Sequence, residues 1–467
     1  MKLLGLELCD AGILVAGGEP PQLLRIDEDS LESPGFALPE KKALTTGIAA
    51  ERRARLFPRQ IMNRFWDSLS TDPLDPPLPA AGNQAEVACA HLAQIWNQAR
   101  RFGNALVIAV PAGFQRTQLG LILGMSQELG IPVQGFISLP VAAADPGPEG
   151  LHLYVDVHLH RFEVSILRAG GRLELQETLR VNESGLEGLY KLWSQAAANE
   201  FVRTTRFDPF HSAETEQELY RRLPSALAAL QKAQATTIDI PAAHSTYSVN
   251  LLRGMILESA KPAYDELLAA VRNARQRGSA PETTAAVQVS QRAAGLPGIL
   301  EHLRQMPNTR VVELPAGAAA LALPGLWHEL TGGRQPTGAP FFTSRPWSAP
   351  GRSPAAKPTA PMPQPTHLLY RSLAYPLTEN PLTVGKRLPA GGRGIRIEAE
   401  AGGVEPEHCA VHLQGETAVL TDLSASGTFV NDRRVDGRVS LTVGDTIRLG
   451  AAADAVVAIA CLDRNET

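Results

Sequence analysis

Apolar residues along the first 330 positions follow two rhythms. Residues 106–110 form a short, continuous apolar run and residues 3–9 one interrupted only at Glu7, the pattern of buried strands. Residues 115–129, 186–201, 216–235 and 251–275 instead repeat apolar positions at helical spacing and predict four long helices. Strands alternating with helices predict an α/β architecture for this region. From 368 to 462 the apolar runs are short and broken by glycine- and aspartate-containing turns, without helical period. That pattern predicts a small all-β sandwich.

Between Thr331 and Thr366 fall Pro336, Pro340, Pro346, Pro350, Pro354, Pro358, Pro361, Pro363 and Pro365, mixed with glycine, serine, threonine and alanine. The low apolar density predicts an extended, semi-stiff tether. The alternative is a strap packed on a domain, with Phe341, Phe342 and Trp347 as its anchors. The chain therefore divides into residues 1–330 (two lobes, about 1–148 and 149–330), a linker at 331–366 and a second domain at 367–467.

Hydrophobic residues make up 44% of the 467, enough for an ordinary core in each domain. The formal net charge of −4 gives no reason to expect nucleic-acid or acidic-membrane binding. No apolar run reaches the ~18 residues a membrane span needs. The N-terminus turns acidic at Glu7, too early for a secretory leader. Cys9, Cys89, Cys409 and Cys461 are scattered without ligand-like spacing, as expected of reduced thiols in a cytoplasmic protein. The run 51–59 carries Arg52, Arg53, Arg55 and Arg59, expected to be a solvated helix face; a docking patch for an acidic partner is the alternative. Trp66, Trp96 and Trp193 are expected in cores.

Six segments occur in an order that resembles the DnaK branch of the actin-like ATPase superfamily. They are 4–15 (LGLELCDAGILV), 107–130 (VIAVPAGFQRTQLGLILGMSQELG), 138–144 (SLPVAAA), 154–167 (YVDVHLHRFEVSIL), 287–299 (VQVSQRAAGLPGI) and 315–321 (PAGAAAL). The resemblance implies two lobes around a cleft, with phosphates held between two β-hairpins. Backbone N–H groups approach phosphate closely only where side chains are absent, which is why such turns are glycine-rich. Here the first turn holds Cys9, Asp10 and Ala11, and the second holds His158, Leu159, His160 and Arg161. Leu139 stands where the family has a glutamate, and Gln291 and Arg292 replace the glycine pair of the adenosine motif. Of the acidic positions, Glu7 and Asp156 persist. Each lost hydrogen bond to a charged phosphate forfeits about 1.5–3 kcal/mol. Several together remove more than about four decades of affinity. A pseudo-ATPase is expected, with no catalytic residue and no cofactor.

His152, Asp156, His158 and His160 share strand parity, and a His-x-His pair with a carboxylate suits a transition metal. The turn that the resemblance places at 158–161 breaks this parity. These side chains are expected to plug an unused cleft, with no metal held.

Beyond Leu382 the chain resembles a forkhead-associated (FHA) domain: 382–386 (LTVGK), 404–411 (VEPEHCAV), 422–431 (DLSASGTFVN) and 441–450 (LTVGDTIRLG). The resemblance implies loops that bind phosphothreonine peptides through an arginine, a serine and an asparagine. Lys386 replaces the arginine, with Arg387 beside it, so charge remains without bidentate geometry. Glu405 takes the serine position and Ser426 the asparagine position, while Thr428 and Asn431 match the pattern. His408 matches the structural histidine. A carboxylate facing a phosphate of about −1.5 to −2 charge is unfavourable, so a phosphate-independent interface is expected on these loops. The predicted function is a non-catalytic adaptor whose partners are other proteins, a phosphothreonine-containing peptide among the candidates, and not nucleic acid. The alternative is a DnaK-like chaperone-type ATPase regulated through phosphothreonine recognition.

Overall fold

The computed structural model describes residues 2–41, 43–78, 80–242, 245–278, 284–334, 336, 338–347, 365–371, 373–389, 391–397, 403–414, 417–431, 433–441, 445–450 and 456–460. The chain forms two compact units, Met1–Pro354 and Ala355–Thr467. The first is mixed α/β and the second is built of β-strands.

The first unit contains two mixed sheets. In one, strand Leu3–Glu7 pairs antiparallel with Ile13–Gly17, which pairs with Gln22–Leu23. On its other side Leu3–Glu7 runs parallel to Ala105–Val110, and that strand parallel to Val133–Ser138. In the other sheet, Gly150–Val157, Arg161–Ala169 and Arg172–Asn182 form the antiparallel meander. Ala285–Val289 and Thr309–Glu313 add in parallel on the far side. Both sheets thus share one order, third–second–first–fourth–fifth. Ala105–Val110 is buried at every position, as a parallel central strand requires.

Helices make the parallel crossovers. Gln84–Ala99 starts where the Asn83 side chain accepts from Glu86 N at 2.9 Å, an N-cap. Arg116–Glu128, Leu186–Thr205, Ala213–Leu230 and Arg253–Gly278 correspond to the four predicted helices. The predicted 216–235 helix overran its end: Ala235 opens strand Ala235–Ala242, where Thr236, Thr237, Ile238 and Ile240 favour extended backbone. The first two residues of predicted helix 251–275 close strand Ser245–Leu252. Helix Ala318–Thr331 returns from the second half and packs on strand Leu3–Glu7. Its approach needs Gly5, because a Cβ there would lie 2.2 Å from the Ala320 carbonyl oxygen.

The expected tether does not describe residues 338–347. Phe341–Phe342 extends the first sheet in parallel beside Val133–Ser138, and Ser344–Pro346 pairs antiparallel with Arg172–Asn182 in the second. Trp347 is buried, donates Nε1–H to Gly147 O at 3.1 Å and meets His152 edge-on at 5.2 Å. Proline is tolerated on such edges, and the three aromatic residues supply the apolar surface that holds them. Residues 348–364 of the predicted linker lie outside the described residues.

The second unit pairs two antiparallel-dominated sheets over one core. Leu368, Leu382, Val384, Ile395, Val411, Leu420, Ile447 and Leu449 all lie within it. Among the described residues no helix is long and apolar enough to cross a membrane, and Cys9, Cys89 and Cys409 are free thiols. Trp66, Trp96 and Trp193 are core residues, as expected.

Candidate functional site

The two hairpin turns of the first unit meet directly. Turn residues 8–12 join Leu3–Glu7 to Ile13–Gly17, and 158–160 join Gly150–Val157 to Arg161–Ala169. Asp10 Oδ1 accepts from His158 Nδ1 at 2.9 Å and from Leu159 N at 3.1 Å. His158 Nε2 lies 3.5 Å from Glu163 Oε2, and Arg161 Nε donates to Glu163 Oε1 at 2.8 Å. Arg161 also pairs with Asp67 and stands 3.9 Å from Asp10 Oδ2. Asp10, His158, Arg161 and Glu163 are all buried.

Helix Leu186–Thr205 locks the second turn in place. Leu186 N donates to His158 O and Glu187 N to Leu159 O, both at 2.9 Å. The contact requires Gly185, where a Cβ would lie 2.3 Å from Arg161 N. The buried groups form a charge network. Burial alone would discharge His158, but Cys9, Glu163 and Asp10 around it reverse the effect and raise its pKa well above the usual histidine range. Burial would likewise raise Asp10, but the His158 charge and hydrogen bond, with Arg161, leave it lower than an ordinary aspartate.

The acidic positions that persist are taken up by the protein itself. Glu7 Oε1 accepts from Arg292 Nη1 at 2.9 Å, and Arg292 also donates to Gly12 O. Asp156 Oδ1 accepts from Ser290 Oγ at 2.5 Å and from Val157 N at 2.9 Å. Gln291 opens the short helix Gln291–Ala294 and lines a cavity of about 560 Å³ beside the hairpins.

The four residues of shared strand parity are not brought together. His152 contacts Pro148 O and Gln288, Asp156 contacts Ser290, His158 contacts Asp10, and His160 Nε2 donates to Asn63 O at 3.0 Å. Ligand atoms of Cys9, Asp10 and His158 do fall within 4.8 Å of one another. The Arg161 guanidinium 3.9 Å from the carboxylate works against a further cation there. The sequence reading missed Asp67 and Glu163. Glu163 could have been found, since it stands two residues from Arg161 on one strand and so shares its face.

The basic run does not form the expected helix face. Only Ile48–Glu51 is helical, and Arg52, Arg53 and Arg55 turn to Glu28, Glu40 and Glu187. Arg55 also lies 3.8 Å over the Tyr220 ring.

In the second unit, Glu405 folds inward onto the loop it faces. Its Oε1 accepts from Ala425 N at 2.8 Å, Ser426 N at 2.9 Å and Ser426 Oγ at 2.8 Å. The hydrogen bonds from Ser426 hold its carboxyl below the ordinary glutamate range. His408 is fully buried; Nδ1 accepts from Glu405 N at 3.1 Å and Nε2 donates to Gly427 O at 3.2 Å. Thr428 Oγ1 donates to Asp422 Oδ1 at 2.6 Å, bracing the same loop. Asn431 Oδ1 accepts from Thr446 N at 3.0 Å, so this residue ties a hairpin together. Lys386 and Arg387 are exposed, and their backbone N–H groups bond to Glu405 O and Pro406 O. Gly385 permits that approach, since a Cβ would lie 2.1 Å from Pro406 O. Arg393 is turned away to Thr378 and Pro376.

A comparison with curated proteins gives no match. The model of the FHA domain family matches residues 383–450, which span the strands and loops carrying Lys386, Glu405, His408 and Ser426. The C-terminal unit of this chain therefore carries an FHA domain.

Proposed function

We propose that this chain is a non-catalytic adaptor. Its first unit would be a DnaK-type, actin-like pseudo-ATPase with two lobes, and its FHA domain a protein-interaction module. The strand order repeated in the two sheets supports the actin-like reading, as do the two hairpins that face each other. The observation that carries the loss of catalysis is the contact of Asp10 with His158 and Leu159. A triphosphate needs the space between those turns, and here side chains from both turns bond across it. Entry would also separate Asp10 from His158, both buried, where breaking a pair is costly. Titration calorimetry of the full chain with Mg-ATP tests this reading. No heat of binding at micromolar nucleotide is expected, and micromolar affinity would overturn it.

The FHA domain supports a role in protein–protein interaction. For its loops we infer a partner read without phosphate. Glu405 already occupies three donors that an anion would use, which favours a peptide bound through the exposed loop face. Pull-down with the full chain, before and after phosphatase treatment of the partner pool, tests this. Loss of every partner on dephosphorylation would contradict it.

A further inference from the structure

The cavity beside the hairpins has walls of a different chemistry from the plugged turns. It measures about 560 Å³, within the ordinary range for a small-molecule site. Glu32, Glu51 and Glu187 reach it, together with Tyr190, Tyr220 and Trp193. Four arginines also line it, but each is turned onto a carboxylate. Arg52 bonds to Glu28 at 2.6 Å, Arg55 to Glu187 at 2.9 Å, Arg221 to Glu218 at 2.6 Å and Arg292 to Glu7 at 2.9 Å. Glu51, by contrast, makes no side-chain hydrogen bond or ion pair among the described residues. Glu32 has only the Arg292 Nε at 3.6 Å.

Of the three carboxylates lining the cavity, Glu51 is therefore the one left without an ion pair among the described residues, and it stands beside aromatic rings. Tyr190 stacks edge-on to Trp193 at 5.7 Å and tilts toward Tyr220 at 6.5 Å. Its hydroxyl bonds to no described group. A carboxylate without a partner, a free phenol and ring faces together suit an ammonium or guanidinium on an aliphatic chain. Phosphate, which the actin-like resemblance would place close by, is the wrong sign for Glu51.

We propose that this cavity binds an organic cation, its ammonium or guanidinium group held by Glu51 and its chain lying against Tyr190, since Arg55 already covers the Tyr220 ring. The group could come from a free polyamine or from a lysine or arginine side chain of a partner protein. The cavity shares Ala11, Leu159, Gln291 and Arg292 with the cleft of the pseudo-ATPase reading, but the proposed contact uses none of Asp10, His158 or Arg161, so its failure would leave that reading standing.

Ionisation of Glu51 supplies a second signature. Glu51 is exposed within the cavity, but the protein packed around its carboxyl, then the Glu187 charge, push its pKa up to about 7, with Asp27 and Glu32 adding to the effect and Arg52 opposing it. Tyr190 also faces it and stays a neutral phenol, its pKa lifted by burial and by Glu51, while burial raises Glu32 as well. A group titrating near 7 is about one-tenth ionised at pH 6 and nine-tenths at pH 8, so cation affinity should rise roughly tenfold across that interval.

Titration calorimetry of the full chain with spermidine and with N-acetyl-lysine methylamide tests the proposal. Either probe binding, tightening roughly tenfold from pH 6 to 8, supports it; the spermidine arm points to a free polyamine and the lysine arm to a protein side chain. Glu51→Gln should weaken the bound probe about tenfold or more at pH 8 and flatten the pH dependence. Ala228→Trp, which fills the cavity without changing charge, should abolish binding. Melting curves matching the wild type confirm that both variants fold. Failure of both probes to bind at millimolar concentration would overturn the proposal. So would binding unchanged by Glu51→Gln or by Ala228→Trp.

Discussion

Replacing His158 by alanine is the most informative single perturbation of the closed hairpins. The imidazole donates to Asp10 at 2.9 Å and sits 3.5 Å from Glu163, and all three groups are buried. Asp10 Oδ2 already has no hydrogen-bond partner. His158→Ala would leave the other oxygen with only Leu159 N. Removing one partner of a buried ion pair costs about 3–5 kcal/mol. Arg161, 3.9 Å away, relieves part of this, so about 3 kcal/mol is expected. All five tryptophans, Trp66, Trp96, Trp193, Trp327 and Trp347, lie in the first unit, so urea unfolding followed by tryptophan fluorescence reports that unit alone. The raised pKa of His158 adds stability that is complete below its unfolded value of 6.5 and is lost as pH rises through the folded value. The lowered pKa of Asp10 adds stability above its unfolded 3.8 that is lost as pH falls through the folded value. The gap between wild type and His158→Ala should therefore be widest between about pH 4 and 6.5. Adding Asp10→Asn to His158→Ala should cost at least about 1 kcal/mol less than the sum of the single changes. A loss under about 1 kcal/mol for His158→Ala, or strict additivity, would refute the network.

Three further outcomes are expected. Trp347→Ala removes a buried indole and its bond to Gly147, and should destabilise the first unit by about 3 kcal/mol in the same urea assay; an unchanged midpoint would mean that the strap contributes nothing. Glu405→Ser frees Ala425 N, Ser426 N and Ser426 Oγ, so a fluorescent phosphothreonine peptide should bind the variant more tightly than the wild type by anisotropy, and equal affinity would count against an internal anion. Burial raises all three thiols, Cys409 up to about 12, but Cys89 is only half-buried and so the most accessible; among these three, iodoacetamide at pH 8 should label Cys89 first by mass spectrometry, and early labelling of Cys9 would show that the turns open.

Much of the fold was legible in the chain. Apolar runs marked the central strands, and helical spacing located four of the long helices to within about five residues, but not Gln84–Ala99 or Ala318–Thr331. Errors arose where a local signal met a tertiary one. Proline density in 331–366 argued for a tether, but residues 338–347 follow the alternative, a packed strap anchored by Phe341, Phe342 and Trp347; which sheet edges would receive it is not written in the local pattern. The arginines at 52–55 read as a solvated face because their carboxylate partners stand as far off in sequence as Glu187. At the candidate sites, the bulk of 158–161 was evident, but its bonds to Asp10 were not, since a sequence separation of 148 residues hides the pairing. Glu405 was legible as a charge that repels phosphate. Its seat on the 425–426 backbone was not, because that depends on two loops meeting about twenty residues apart.

An experimental density map of the protein crystallised in saturating Mg-ATP addresses the pseudo-ATPase proposal most directly. The account predicts no nucleotide between residues 9–11 and 158–161, with Asp10 still bonded to His158. A triphosphate seated between those turns, with that contact broken, would contradict it.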